Sequence, residues 1–126
     1  MPIIFTVDHS RREVQATAVG PVTFEDVRAH LAQERHWEGL AYPELIDARA
    51  AAVSISPAEV REIVVLLRKL ATNLPLGRTA VLVASDYQFG IVRMLEVLVE
   101  DVCEIRPFRD EPPAHLWLAG KSSAAT

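Results

Sequence analysis

The sequence predicts an α/β domain with a mixed, mostly parallel five-stranded sheet flanked by helices. Two extended segments near the N-terminus are joined by a short polar turn, which is typical of an antiparallel hairpin. Helical and extended patterns then alternate to the C-terminus, as in parallel strands joined by right-handed helical crossovers. The almost wholly apolar run 79–84 indicates a central strand covered on both faces. The predicted order of elements is β-β-α-β-α-β-α-β-α.

The predicted hairpin occupies residues 2–19. Its second half alternates between apolar and polar side chains, the two-residue period of a half-buried strand. Gly20-Pro21 is predicted to end that strand. A helix follows, in which Thr23 is the N-cap and Asp26 stands three residues later, so that the two form an approximate capping box.

The middle of the chain predicts a short strand over residues 44–49, followed by a connection of small residues over 50–55. The helix after it has the clearest start signal in the sequence. Ser56 is predicted as its N-cap, Pro57 occupies the first helical position, and Glu59 is placed to bond back to the cap. The helix is predicted to stop within residues 73–77.

The central strand 79–84 is followed by a helix that Ser85 and Asp86 begin, predicted over residues 86–101. Apolar side chains cover more than one face of this helix. A core explanation alone accounts for many of them, since helices beside a sheet can be widely apolar. The alternative is that part of this surface packs against a second copy or a partner.

The last elements are a strand over residues 102–108 and a short helix capped by Asp110. Cys103 is predicted to lie inside that strand as a buried small hydrophobe. We expect one domain over residues 1–119 and a polar, flexible tail over 120–126.

Composition excludes several classes of function. The chain has 126 residues, half of them apolar, with a net charge of −4 and scattered basic residues, which argues against nucleic-acid binding. Charged residues interrupt every apolar segment too early for a membrane span, and no signal-peptide pattern opens the chain, so we expect a cytoplasmic protein without stable membrane insertion.

Motifs for catalysis and for metal or cofactor binding are absent from the sequence. The group His30, Glu34 and His36 has the wrong helical spacing for a metal site, and solvated helix residues are the better interpretation. His9 and His115 have no sequence-adjacent partner. No nucleotide-binding loop or nucleophile elbow occurs. We therefore expect no enzymatic activity, no metal and no cofactor.

Polar residues do collect where the parallel strands are predicted to end. Ligands of open α/β sheets usually lie beyond the carboxyl ends of the strands, so this rim is the candidate site for a ligand or partner. Helix capping and an Asp47–Arg49 ion pair are the structural alternatives. The candidate rim residues are Asp47, Arg49, Ser54, Ser56, Ser85, Asp86 and Tyr87.

Five segments in a fixed order carry a family resemblance: GPVTFEDV, ELIDAR, SISPAEV, GRTAVLVAS and RPFRDEPPAHLWL. Together they resemble the STAS-type family of bacterial SpoIIAA-like proteins, which are related in fold to anti-sigma-factor antagonists and similar to CRAL-TRIO lipid-carrier domains. The resemblance spans residues 3–119.

The resemblance implies a STAS-like fold and a non-catalytic role exerted by binding. In phosphoswitched anti-sigma-factor antagonists, a turn before the second helix carries the regulatory serine. Ser56 is the best positional match and hence the candidate phosphorylation site, although Ile55 and Pro57 replace the acidic residue and the second serine of that turn. Two functions are favoured: a regulatory module that binds a protein partner or itself, possible dimerisation included, and a carrier of an apolar small molecule or lipid. An enzyme that depends on Asp47, Arg49 or Asp86 is the third alternative, which the absence of catalytic motifs disfavours.

Overall fold

The structure is a computed structural model that describes residues 3–34, 41–72 and 75–120. The strands are β1 (Ile3–Asp8), β2 (Glu13–Thr23), β3 (Glu44–Ser54), β4 (Thr79–Leu82) and β5 (Ile105–Phe108). The helices are α1 (Phe24–Glu34), α2 (Pro57–Ala71), α3 (Asp86–Leu98) and α4 (Glu111–Leu118). The predicted α/β order of elements is therefore confirmed. His36 and the tail 121–126, on which predictions were made, lie outside the described residues.

The five strands form one sheet in the sequential order β1-β2-β3-β4-β5. The hairpin pair β1–β2 is antiparallel, and each later pair is parallel, as predicted. Because the order never reverses, the crossover helices α1, α2 and α3 all pack on one face of the sheet. Helix α4 covers the other face, where Trp117 and Ala114 pack on Leu45, Ala80 and Leu82.

Strands β2 and β3 are both longer than the sequence predicts. Val19–Thr23 pair in parallel with Ala50–Ser54, so Gly20-Pro21 does not end β2 and the small-residue connection is strand. Pro21 is tolerated because the pairing of β1 ends at Ala18, which leaves this part of β2 at an edge where a missing N–H breaks no ladder bond. Gly20 has φ of +73°, a conformation that favours glycine.

The caps that position α1 and α2 differ in completeness. At α2 both halves of the capping box form: Ser56 Oγ accepts from Glu59 N at 3.1 Å, and Ser56 N donates to Glu59 Oε1 at 2.9 Å. At α1, Asp26 Oδ2 accepts from both the backbone N and the hydroxyl of Thr23. The two predicted helix starts are thus confirmed.

Two predictions near the C-terminus are wrong in detail. Strand β5 begins at Ile105, so Cys103 lies in the turn after α3 and is half-buried rather than buried in a strand. The amides of Val102 and Cys103 donate to Val99 O, which curls the chain at the end of α3 and delays the strand. Asp110 occupies the N-cap position of α4, but its side chain makes no capping hydrogen bond.

Among the described residues, none of the helices has the length and apolar character needed to cross a bilayer.

Candidate functional site

A cavity of about 160 Å³ lies between the sheet and the helices α1, α2 and α3. The sheet forms its floor and the three helices form its walls. Apolar side chains make up nearly all of the lining: Ile3, Ala18, Val22, Val27, Leu31, Ile46, Ala48, Val53, Ile55, Ile63, Leu67, Val81, Val83, Ile91, Val92, Leu95 and Ile105. His30, Glu44, Thr79 and Gln88 are the polar members of the lining.

Small side chains on the two long strands explain why the space is open. Ala18 of β2 and Ala48 of β3 both face the helices and are buried, at 3% and 8% exposure. An alanine projects only one carbon from the sheet, whereas helices stand off a sheet at the distance that their larger residues require. The alanines therefore leave a void on the cavity floor that valine or leucine would fill.

A buried pair, His30 of α1 and Glu44 of β3, joins helix and sheet at the cavity wall. His30 Nε2 lies 2.9 Å from Glu44 Oε2, and the two residues are 4% and 6% exposed. The His30 ring also packs edge-on against Phe5, with centroids 5.2 Å apart. The prediction that His30 is a solvated helix residue is therefore wrong, because α1 turns this face toward the sheet.

Gln88, in the first turn of α3, closes a part of β3 that β4 does not pair. Its amide Nε2 donates to Ala48 O at 3.0 Å and to Ala51 O at 2.8 Å, while its Oε1 accepts from Ala84 N at 2.8 Å. Strand β4 pairs β3 only up to Asp47, so these carbonyls lack a strand partner on that side. One side chain thus fixes α3 against the sheet.

Asp47 and Arg49 form the predicted ion pair, with Arg49 Nη2 at 2.8 Å from Asp47 Oδ2. Arg49 also reaches Glu111 of α4, at 3.1 Å. The hydrogen bond from Arg49 lowers the pKa of Asp47, and the same bond raises the pKa of Arg49. These charges bind β3 to α4, on the face of the sheet opposite the cavity.

The other rim residues lie around the first turns of α2 and α3. Ser56 and Ser85 are N-caps, and Ser54 is exposed at the end of β3. Asp86 pairs with Arg109 at 2.6 Å. The Tyr87 hydroxyl donates to Ile55 O at 3.0 Å, which brings the starts of α2 and α3 together.

The rim residues are therefore divided between two networks and do not form a single constellation. Ser56 and Ser85 cap helices and Asp47 pairs with Arg49, as the structural alternative predicted. Within 3–34, 41–72 and 75–120, no group of three or more His, Cys, Asp or Glu residues is arranged to hold a metal ion. His9 lies 3.0 Å from the Tyr42 hydroxyl and His115 lies 3.4 Å from Glu111, so both histidines have partners distant in sequence or one helical turn away.

Helix α3 keeps part of its apolar surface in solvent. Phe89, Val92 and Leu95 pack toward the core, whereas a second set on the outer side stays accessible. The exposed apolar residues of α3 are Tyr87, Met94, Val97 and Leu98. We call these four residues the α3 stripe.

Comparison with known proteins identifies the fold. No protein-family model matches the chain, and no curated protein matches it. A solved structure from Shewanella loihica PV-4, described as an uncharacterized protein from the DUF3478 family with a SpoIIAA-like fold, matches with a TM-score of 0.62. The chain has a SpoIIAA-like fold. The two proteins are 20% identical over 92% of this chain and 93% of the other, so this likeness concerns the SpoIIAA-like architecture.

Sequence reasoning missed the cavity and its polar wall, although two signals were present. Gln88 continues the buried stripe of Val92, Leu95 and Val99 at helical spacing, so it occupies a core position of α3. His30 stands three residues after Val27 on the inner side of α1. A polar residue at a core position is informative, because burying it requires partners.

Proposed function

We propose that this SpoIIAA-like protein is a non-catalytic binding module that holds a small apolar molecule between its sheet and helices. The observation that carries the proposal is the cavity of about 160 Å³ with an almost wholly apolar lining. Protein interiors are close-packed and hold few voids larger than a water molecule. An engineered apolar cavity of about 150 Å³ in another protein binds benzene or xenon.

The apolar lining supplies the driving force for such binding, because a ligand that covers it removes apolar surface from water. A ligand that fills the space restores the missing dispersion contacts, and its binding stabilises the folded state.

The non-catalytic part of the proposal is supported by what the rim side chains already do. Ser56 Oγ accepts from Glu59 N and Ser85 Oγ accepts from Gln88 N, and Asp86 pairs with Arg109. A catalytic nucleophile would instead need a neighbouring base within hydrogen-bond reach.

Benzene titration followed by amide chemical shifts tests the binding proposal. The wild-type protein should show saturable shifts at residues that line the cavity. Ala48→Leu adds three carbons to the cavity floor and should abolish them. The matched variant Ala52→Leu makes the same change on the same strand at an exposed position, and should bind as the wild type does. Absence of saturable shifts in the wild type, or equal binding by Ala48→Leu, would contradict the proposal.

A regulatory role through protein–protein interaction is the second candidate, and the α3 stripe favours it. Val97 is 52% exposed, and exposed apolar side chains that lie together are typical of interaction surfaces. Analytical ultracentrifugation tests self-association, and in-cell cross-linking tests a distinct partner. Val97→Lys should remove the association, whereas Val65→Lys, at an exposed valine of α2, should not.

Phosphorylation of Ser56 belongs to this second candidate. Ser56 is exposed, and a phosphate there would meet the favourable N-terminal dipole of α2 but also the Glu59 carboxylate of the capping box. Ser56→Asp and Ser56→Asn both keep an N-cap, and they differ in charge. Loss of a partner in the aspartate variant alone would support the switch; equal partners in both would remove Ser56 from it.

A further inference from the structure

We infer that the cavity selects an uncharged molecule of single-ring size, and this inference rests on the proposed binding function. The volume, the apolar lining, the engaged Gln88 amide and the buried hydrogen bond between His30 and Glu44 lead to it together.

The volume limits the ligand first. A space of about 160 Å³ is close to that of the engineered cavity that takes benzene. A molecule with one six-membered ring or an alkyl chain of similar volume therefore fits without rearrangement. A long acyl chain exceeds this volume.

The Gln88 amide of the wall offers no unused atom to an ionic ligand. Gln88 uses both its amide nitrogen and its carbonyl oxygen on backbone atoms. Thr79 supplies a neutral hydroxyl. The Gln88 amide is thus already engaged within the protein.

The ionisable groups of the wall act against charge of either sign. Among the described lining residues these are His30 and Glu44, which bond to each other at 2.9 Å. An anionic ligand would lie beside the Glu44 carboxyl group, and a cationic ligand would have to displace His30 from it. Since burying an unpaired ion is costly, a charged molecule should enter only in its neutral form.

The test compares three ligands that share one ring: toluene, benzoate and benzylamine, titrated into the full chain at pH 7. Toluene should bind. Benzoate and benzylamine should each bind more than about a hundredfold more weakly, because the pKa of each ligand lies about two to three units from pH 7 and the neutral form is the minor one. Between pH 6 and 8, the benzoate affinity relative to toluene should fall about tenfold per pH unit, and the benzylamine affinity should rise equally.

A length series and a charge variant complete the test. Dodecanol, which is neutral but long, should not compete with toluene. Glu44→Gln removes the carboxylate and retains a hydrogen-bonding side chain, so it should narrow the ratio between toluene and benzoate. The control Glu62→Gln, at an exposed residue of α2, should leave that ratio unchanged.

The possible outcomes distinguish a failure of the inferred selectivity from a failure of the proposed binding function. If no ligand of the series binds, the proposed function fails. If benzoate or benzylamine binds within about tenfold of toluene, or dodecanol displaces toluene, the protein binds apolar molecules but the inferred selectivity is wrong.

Discussion

Gln88→Leu removes three hydrogen bonds that join α3 to the edge of β3 that β4 leaves open. The replacement has a similar size and is apolar, so the packing against the neighbouring helices is largely kept. What it loses is the donor to Ala48 O and Ala51 O and the acceptor for Ala84 N. Because Gln88 and Ala48 are only 5% and 8% exposed, water cannot readily replace the bond to Ala48 O, whereas the bonds to Ala51 O and Ala84 N are part-buried.

The expected cost follows from those contacts. A typical intramolecular hydrogen bond contributes about 1 kcal/mol net, so three bonds sum to about 3 kcal/mol. Urea unfolding at 25 °C measures the change. With a slope of about 2 kcal/mol per molar urea, the midpoint should fall by about 1.5 M. Hydrogen exchange should also accelerate at the amide of Ala84.

The matched control is Gln33→Leu, which makes the same exchange at an exposed position of α1. It should change the free energy of unfolding by less than about 0.5 kcal/mol. A loss below about 1 kcal/mol in Gln88→Leu would refute the reasoning, since the amide would then not be what closes this edge of β3.

Three further predictions concern the backbone, an ion pair and the thiol. Gly90 lies inside α3, and nothing lies within 4 Å of a Cβ added there. Gly90→Ala should therefore raise the free energy of unfolding by about 0.5–1 kcal/mol, because alanine favours a helix interior more than glycine does. Gly120→Ala is the contrasting variant and should lower the free energy of unfolding, because Gly120 has φ of +75°. The hydrogen bond from Arg49 lowers the pKa of Asp47, so this pair stabilises the fold at pH values above the ordinary carboxyl pKa of 3.8. That stabilisation is lost as the pH falls through the lower pKa of the folded state, and Asp47→Asn should therefore flatten the acid limb of a plot of stability against pH. An unaltered acid limb would count against the pair. Burial raises the pKa of Cys103 to about 11, so about a thousandth of the thiol is ionised at pH 8 and native alkylation by iodoacetamide should be far slower than in urea. Comparable native and denatured rates would refute that burial.

Local patterns were sufficient for most of the architecture. Ser56, Pro57 and Glu59 predict the start of α2 because a capping box needs only residues within one turn of each other. The run from Thr79 predicts a central strand because both of its faces are apolar. The alternation of strands and helices after the hairpin then predicts parallel strands joined by helical crossovers, and the sheet has this topology.

The lengths of β2 and β3 were harder to predict from the sequence, because pairing between the two strands extends both of them. Pro21 and the residues next to it in sequence predict the end of a strand. It lies within β2 because Ala52, some thirty residues later, pairs beside it and β1 does not. The position of Cys103 was also hard to predict from the sequence. The hydrogen bonds to Val99 O at the end of α3 form the turn that sets where β5 begins.

The features of the candidate site also fall into two groups, those set by residues close in sequence and those set by tertiary contacts. Sequence by itself determined the fold class and the Ser56 and Ser85 caps of α2 and α3, because caps and periodicities are set by contacts between near neighbours. Only the tertiary structure decided that His30 meets Glu44, that Gln88 closes β3 and that a cavity separates Ala48 from the helices. Those features depend on the distance between elements that meet only when the chain is folded, and an empty volume has no residue of its own to mark it in a sequence.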